Sequence, residues 1–198
     1  MLSEPKLLQQ DFITLFNVFW YRDFPLTKNY KDFGSRAEWT THIGICVRSC
    51  ADLLGYFTYF ESGGRTDAII KDNQGFDVAH IEWEWWQADS DKVNEIKKLH
   101  KKRKNTDFSV FISYSKLDNI GSHERNLKSI EKQWGKSEEP LVVFLITFLR
   151  AKNLREFYDL ETYIVRNGKI KKVRSQPALP WDVRGTRWEI RNTNEIMK

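Results

Sequence analysis

The sequence has few cysteines and no long apolar run, and each of these absences excludes a class of protein. Its two cysteines, Cys46 and Cys50, are too few for a disulfide scaffold. They lie four residues apart in a helical pattern, and His42 is the one further soft ligand close to them in sequence, so a zinc site is disfavoured. The longest apolar stretch is LVVFLITFL at 141–149, which is far shorter than the ~20 residues of a membrane helix. We therefore expect buried free thiols in a reducing compartment and no membrane span.

Targeting and low-complexity segments are also missing. The N-terminal stretch MLSEPKLLQQ has neither the basic n-region nor the apolar h-region of a secretory signal, so we expect a cytoplasmic protein. The sequence shows no internal repeat. Among its 198 residues, 40% are hydrophobic and 14% aromatic, which is enough for a sizeable core and excludes a disordered chain.

The first half of the sequence predicts helix, three strands, helix and strand, after one N-terminal helix. Ser35 and Glu38 have the spacing of a capping box, which opens the helix that precedes the first strand. A strand reached through a crossover helix lies parallel to its neighbour, so a mixed α/β sheet flanked by helices is expected. The predicted elements are helices at 4–20, 35–54 and about 92–104, with N-cap candidates at 89–91, and strands at 56–60, 65–71, 76–86 and 107–115.

The second half predicts a helix capped by Ser122 and a buried strand at 140–149, whereas 153–160 is ambiguous. Asn167-Gly168 lies between two β-prone runs and predicts a C-terminal hairpin. We expect one domain over 1–198. Its parts are a core at about 35–115, the N-terminal helix 4–20 and a C-terminal extension at about 120–198.

Three acids stand in two strands that otherwise have a buried character. Glu82 and Glu84 share one face of their strand because side chains alternate, and pairing around the DNQG turn places Asp67 opposite about residue 80. Either the three face water, or they converge on a cation, since like charges this close need a counter-charge. A hard divalent ion such as Mg²⁺, for which Mn²⁺ can substitute, is the natural partner of carboxylate oxygens.

The order of elements and acids over 35–115 resembles the PD-(D/E)XK nuclease superfamily. GGRTD carries the aspartate segment through Asp67, and IEWEW carries the second segment through Glu82 and Glu84. The resemblance implies a restriction-endonuclease-like core and Mg²⁺-dependent hydrolysis of DNA phosphodiester bonds, typically by an endonuclease of restriction type. A palindromic target would imply a homodimer.

One position departs from the family pattern, because Glu84 occupies the place of the usual lysine. Glu84 is then a metal ligand or a base that orients water, or the lysine has moved to Lys71 or Lys98. The resemblance also makes Glu38 a candidate metal ligand with Asp67 and Glu82, although Glu38 is equally explained as the capping partner of Ser35.

A net charge of +5 agrees with a polyanionic partner. Residues 92–104 hold seven of the 32 lysines and arginines, which indicates either a solvated helix face or a phosphate-binding surface. DNA as the partner, rather than RNA, follows from the family resemblance. The candidate nucleic-acid contacts are Arg65, Lys97, Lys101, Lys102, Arg103, Arg184 and Arg187.

Two functions from different classes are consistent with these patterns. The first is a Mg²⁺-dependent DNA endonuclease. The second is a nuclease-like module that has lost catalysis and binds nucleic acid or protein, which Glu84 in place of lysine favours.

Overall fold

The computed structural model describes residues 4–25, 35–62, 66–151 and 154–184. Within these ranges the chain forms four α-helices, a short 3-10 turn at Arg103–Asn105 and seven strands. The helices are α1 Glu4–Arg22, α2 Arg36–Leu53, α3 Glu95–Lys102 and α4 Ser122–Trp134. The strands are β1 Phe57–Ser62, β2 Thr66–Lys71, β3 Asp77–Glu84, β4 Phe108–Lys116, β5 Leu141–Ala151, β6 Leu154–Arg166 and β7 Lys169–Pro177.

The described strands make one mixed sheet in sequential order from β1 to β7. Strands β1 to β3 are antiparallel, β3, β4 and β5 are parallel, and β5 to β7 are antiparallel again. Helices α3 and α4 are the crossovers that the two parallel pairs require. The predicted mixed sheet flanked by helices, with its C-terminal hairpin, is confirmed.

Apolar residues cover both faces of the sheet. On one face α1 and α2 pack through Phe12, Phe16, Trp20 and Trp39, and the Trp20 ring stacks on Trp39 at 5.8 Å between centroids. On the other face α3 and α4 pack through a second cluster that includes Leu99 and Trp134. Because α3 lies directly over β3 and β4, its side chains reach the acids of the neighbouring strands.

Two local predictions are confirmed at the turns. Ser35 and Glu38 form the capping box, in which each side chain binds the backbone N–H of the other residue. Asn167 and Gly168 adopt φ values of 52° and 69°, as a two-residue hairpin turn requires. Both thiols are buried and free, as expected, and burial raises the pKa of Cys46 to about 12.

Three element boundaries differ from the prediction. Helix α3 begins at Glu95 with Asn94, and not 89–91, at its N-cap position, because Asn126 and Gln133 of α4 bind the backbone of Ala88 and hold that segment in turns. Gly121, in the left-handed region at φ 73°, precedes α4, so Ser122 is its first helical residue. Within the ambiguous stretch, residues 154–160 belong to the long strand β6, which pairs with β5 from Leu154 and with β7 from Asp159.

No helix among the described residues is long and apolar enough to cross a membrane.

Candidate active site

Asp67 and Glu82 lie opposite each other on neighbouring strands. The pairing of Ala68 with Ile81 and of Ile69 with His80 sets this register, so both side chains leave their strands on the same face of the sheet. The expected pairing of Asp67 with about residue 80 is wrong by two residues. One residue of the difference comes from the turn, where Lys71 pairs with Asp77 and not with Phe76, and the other comes from a β-bulge between Ile70 and Lys71.

Glu82 is buried without a strong hydrogen-bond donor. The residue is 1% exposed, and neither of its carboxylate oxygens accepts a hydrogen bond from any described residue. The nearest cation is Lys98 of α3, whose Nζ lies 3.7 Å from Oε2. A buried carboxylate in this state is costly unless it takes a proton or a cation.

Asp67 is half-buried beside Glu82 and is fixed by the backbone. Its Oδ2 accepts a hydrogen bond of 2.8 Å from the Trp83 N–H. Burial raises the pKa of Asp67, although the Trp83 N–H and Lys98 oppose the shift. Burial and the neighbouring Asp67 charge raise the pKa of Glu82 to about 8. The pair therefore retains a proton near neutral pH when no other cation is bound.

Lys98 links this pair to a further acid, Glu95, which was absent from the residues predicted from the sequence. Nζ of Lys98 lies 3.1 Å from Oε1 of Glu95, the first residue of α3. Partial burial alone would lower the pKa of Lys98, but the charges of Glu82 and Glu95 raise it by more. The net shift is upward, so the ammonium keeps its proton. Glu95 and Lys98 are three residues apart on a helix, and this spacing is the sequence signal that could have predicted their ion pair.

Glu84 is turned away from the carboxylate pair. Its Oε1 accepts hydrogen bonds from the N–H groups of Trp85 at 2.6 Å and Trp86 at 3.2 Å. Nη2 of Arg36 lies 3.5 Å from the same oxygen. The carboxylate thus binds the chain where it leaves β3, and it shares a cavity with Asp67 without contacting Glu82.

That cavity leads from the surface to Asp67. It has a volume of about 220 Å³ and lies between the start of α2 and the end of β3. Arg36, Thr40, Asp67, Glu84 and Glu95 are among its lining residues. The cavity therefore has one arginine at its rim and carboxylates inside.

Two other predicted site residues lie elsewhere. Lys71 is at the opposite end of β2, where it pairs with Asp77 and donates a hydrogen bond of 3.3 Å to the Gly75 carbonyl. Glu38 is engaged with the Ser35 N–H in the capping box. The structure brings together Asp67, Glu82 and Lys98 from the predicted set.

The predicted nucleic-acid contacts differ in how available they are. Lys97 and Lys101 are exposed on α3, whereas Lys102 donates a hydrogen bond of 2.8 Å to the Thr66 hydroxyl. Arg103 is tied to Ser137 and Glu139, and Arg184 to Asp182 and Asp159. Arg65 and Arg187 lie outside the described residues. Lys97 and Lys101 are thus the best-placed phosphate ligands of this set.

Among the described residues, no group of three or more histidine, cysteine, aspartate or glutamate side chains is placed to hold a metal ion. The Asp67–Glu82 pair accordingly has no third such side chain in position beside it among the described residues. Glu84, the third predicted acid, is committed to backbone N–H groups at the end of β3.

No family model matches the sequence, and no curated protein matches it. Among solved structures, the chain is similar to SfsA of Pyrococcus furiosus, solved in complex with Ca²⁺, at 12% identity and a TM-score of 0.37. The match covers 71% of this chain and spans 64% of the SfsA chain. YaeQ of Xanthomonas axonopodis pv. citri matches at 7% identity and a TM-score of 0.27, over 62% of this chain and 70% of its own. YaeQ of Pseudomonas syringae matches at 12% identity and a TM-score of 0.28, over 66% and 74%.

Proposed function

We propose that the protein is a metal-dependent DNA endonuclease that hydrolyses phosphodiester bonds at the Asp67–Glu82 pair. The observation that carries the proposal is the state of Glu82, a buried carboxylate with no hydrogen-bond donor for either oxygen among the described residues. The nearest described cation, Lys98, lies 3.7 Å from Oε2 and is shared with Glu95, so the charge of the Asp67–Glu82 pair is only partly compensated and the pair is suited to bind a further cation.

The residues present fit a Mg²⁺ or Mn²⁺ ion. Mg²⁺ usually binds one or two protein carboxylates together with waters and substrate phosphate oxygens, which is the number that Asp67 and Glu82 supply. When bound, the ion would neutralise charge on the phosphate and lower the pKa of a coordinated water. Displacement of the shared proton by the ion would also relieve the repulsion between the two carboxylates.

The chain's own groups have separate roles in this proposal. Lys98 keeps its proton and lies beside Glu82, so it can donate a hydrogen bond to the attacking water or to a phosphate oxygen. Lys97 and Lys101 lie on the same helix and face solvent, where they can bind flanking phosphates and position the duplex. A restriction-type target that is palindromic would require two copies of this site. The buried free thiols favour the cytoplasm as its compartment.

A nuclease-like module that binds DNA without cleaving it is the second candidate. Two observations favour it: Lys98 already compensates part of the Glu82 charge, and Glu84 is committed to the backbone at the end of β3. Under this alternative the carboxylate pair keeps its shared proton and binds no metal, and Lys97 and Lys101 bind the DNA phosphates.

The deciding experiment is a cleavage assay on supercoiled plasmid and linear duplex with Mg²⁺, Mn²⁺ or EDTA. The wild type is expected to cleave with either metal and not in EDTA, and Asp67→Asn is expected to lose that cleavage. Asp52→Asn changes an exposed acid at the end of α2 in the same way and should cleave like the wild type. Binding without cleavage in either metal would contradict the endonuclease and favour the second candidate.

Metal is also expected to stabilise the fold. Mg²⁺ or Mn²⁺ at ten times its dissociation constant should stabilise the wild type by about 1.4 kcal/mol, which raises the melting temperature by roughly 3–6 °C. The measurement is thermal unfolding across a metal titration, with Asp67→Asn as the comparison. An equal rise in both proteins would place the bound metal somewhere other than this pair.

A further inference from the structure

A second cavity opens on the other side of Asp67, between α2 and the edge strand β1. It has a volume of about 350 Å³, at the lower end of the ~300–1,000 Å³ typical of small-ligand sites. Thr40, Asp67 and Trp83 line both this cavity and the one described above. We call it the α2–β1 cavity. The two cavities are thus neighbours along α2, with Asp67 in the wall of both.

The walls of the α2–β1 cavity are aromatic and apolar. The rings of Phe60 and Trp83 meet edge to face at 6.5 Å between centroids, and Ile45 and Gly44 of α2 form the opposite wall. Phe60 is 41% exposed, so a large aromatic surface of the edge strand has no cover from the described chain. Exposed aromatic surface beside a polar rim is characteristic of a ligand site.

The polar groups of this cavity are suited to a planar heterocycle. The Arg48 guanidinium lies 5.8 Å from the Phe60 ring centroid, and the Glu61 carboxylate is exposed at the mouth. Arginine offers paired N–H donors and glutamate offers acceptors, the two kinds of group that read the edge of a nucleobase. The hydroxyl of Thr41 already donates a hydrogen bond of 3.0 Å to the Ala37 carbonyl, so it does not need a ligand as its acceptor.

The backbone at the mouth is held in an unusual conformation. Glu61 has a φ of 50°, in the left-handed region that residues other than glycine seldom adopt. Such conformations cluster at active sites, ligand clamps and switch regions. Here the conformation occurs one residue after Phe60, on the strand that forms the aromatic wall.

We infer that the α2–β1 cavity receives one unpaired nucleotide of the DNA substrate, stacked on Phe60 and Trp83 next to the phosphate that Asp67 addresses. This inference rests on the proposed endonuclease function and specifies its substrate class. The preferred substrate then contains a bulged, flipped or single-stranded nucleotide, because a base inside an intact duplex cannot reach the rings.

The test compares a fully paired oligonucleotide duplex with the same duplex carrying one bulged 2-aminopurine. Affinity and 2-aminopurine fluorescence are measured in EDTA, and cleavage of both substrates is measured in Mg²⁺. The wild type should bind the bulged duplex about 10-fold more tightly than the paired one, with quenched fluorescence from base stacking. It should also cleave the bulged duplex faster.

Two variants address the cavity and a third serves as the matched control. Phe60→Ala removes the stacking ring and should reduce the preference to about 2-fold or less. Gly44→Ala adds a methyl group 3.6 Å from the Phe60 ring, an ordinary contact that narrows the cavity while favouring the helix. Tyr59→Ala removes the neighbouring exposed aromatic on the opposite face of β1 and should keep the full preference.

The outcomes separate this inference from the proposed function. Metal-dependent cleavage with equal binding of paired and bulged DNA would overturn the cavity assignment and leave the endonuclease intact. A Phe60→Ala protein that behaves like Tyr59→Ala would overturn the cavity assignment in the same way. Absence of cleavage, together with a bulge preference that Phe60→Ala and Gly44→Ala both abolish, would contradict the endonuclease and support the nucleotide site.

Discussion

Glu82→Gln is expected to unfold at a higher temperature than the wild type at pH 8 in EDTA, while metal-dependent cleavage falls by roughly 10³-fold. The gain arises because the wild-type carboxyl group is buried beside Asp67, and burial together with that charge raises its pKa to about 8. Glutamine has the same shape without the charge. The loss of activity arises because an amide cannot replace a carboxylate as a ligand for a divalent ion.

The sign of the pH dependence follows from the raised pKa. Below the ordinary glutamate pKa of 4.5 the group is protonated in both the folded and the unfolded protein, and folding bears no charge penalty. As the pH rises from 4.5 to about 8, the unfolded chain releases the proton that the folded chain keeps, so the wild type loses stability over this window. The advantage of Glu82→Gln should therefore be absent near pH 4.5 and largest at pH 8 and above.

The size of the stability gain in Glu82→Gln can be estimated from the raised pKa of Glu82. A pKa raised from 4.5 to about 8 corresponds to about 4–5 kcal/mol, and burying the glutamine amide without a partner costs about 1–2 kcal/mol of that. A net gain of about 3 kcal/mol would raise the melting temperature by roughly 6–12 °C.

Thermal unfolding in EDTA at pH 4.5, 6 and 8 measures the effect. Glu84→Gln serves as the control, since it makes the same change two residues further along β3, where the carboxylate accepts backbone hydrogen bonds. Glu84→Gln should show no stabilisation that grows with pH. A Glu82→Gln protein less stable than the wild type at pH 8 would mean that Glu82 has a donor in solution, which would remove the main support for a cation site.

Periodicity and turn chemistry predict most of the fold because they are local. Ser35 with Glu38 and Asn167 with Gly168 each specify one turn through their own backbone geometry, and both predictions are confirmed. The start of α3 could not be predicted in this way. It depends on two hydrogen bonds, one that the Ala88 N–H donates to Asn126 and one that Gln133 donates to the Ala88 carbonyl, which connect residues about 40 positions apart in the sequence.

In the candidate site, too, some features follow from local sequence and others depend on contacts between distant residues. That Glu82 and Glu84 lie on one strand face follows from alternation alone, but the rotation of Glu84 toward the Trp85 N–H depends on how β3 ends. The direct opposition of Asp67 and Glu82 depends on the length of the turn and on a bulge near Lys71, and a bulge has no reliable signature in sequence. Glu95 enters the site only because α3 lies over β3.

The largest loss of stability is expected at Glu161, far from the carboxylate pair on strand β6. Its carboxylate is 7% exposed and is bonded to the Tyr163 hydroxyl at 2.5 Å, to Lys172 and to His123, whose Nε2 lies 3.2 Å away. Nδ1 of His123 in turn lies 2.9 Å from the hydroxyl of Ser115 on β4. These bonds connect α4 to the sheet through one buried charge.

Glu161→Gln should therefore destabilise the protein by about 3 kcal/mol at pH 7, which lowers the melting temperature by roughly 6–12 °C. Although burial by itself would raise the pKa of Glu161, hydrogen bonds from His123, Lys172 and Tyr163 lower it to about 2. A lowered carboxyl pKa stabilises the folded state above the ordinary value of 4.5, and this stabilisation is lost as the pH falls toward 2. The sign is opposite to that at Glu82.

Urea unfolding at pH 7 and at pH 3 tests this, with Glu156→Gln as the control because Glu156 is an exposed carboxylate on the same strand. The difference between Glu161→Gln and the wild type should shrink between pH 7 and pH 3, while Glu156→Gln stays within about 0.5 kcal/mol of the wild type at both. An equally large loss at pH 3 would show that Glu161 acts through packing rather than charge. Cleavage by Glu161→Gln should remain at the wild-type level at 20 °C, because β6 is four strands away from Asp67 in the sheet.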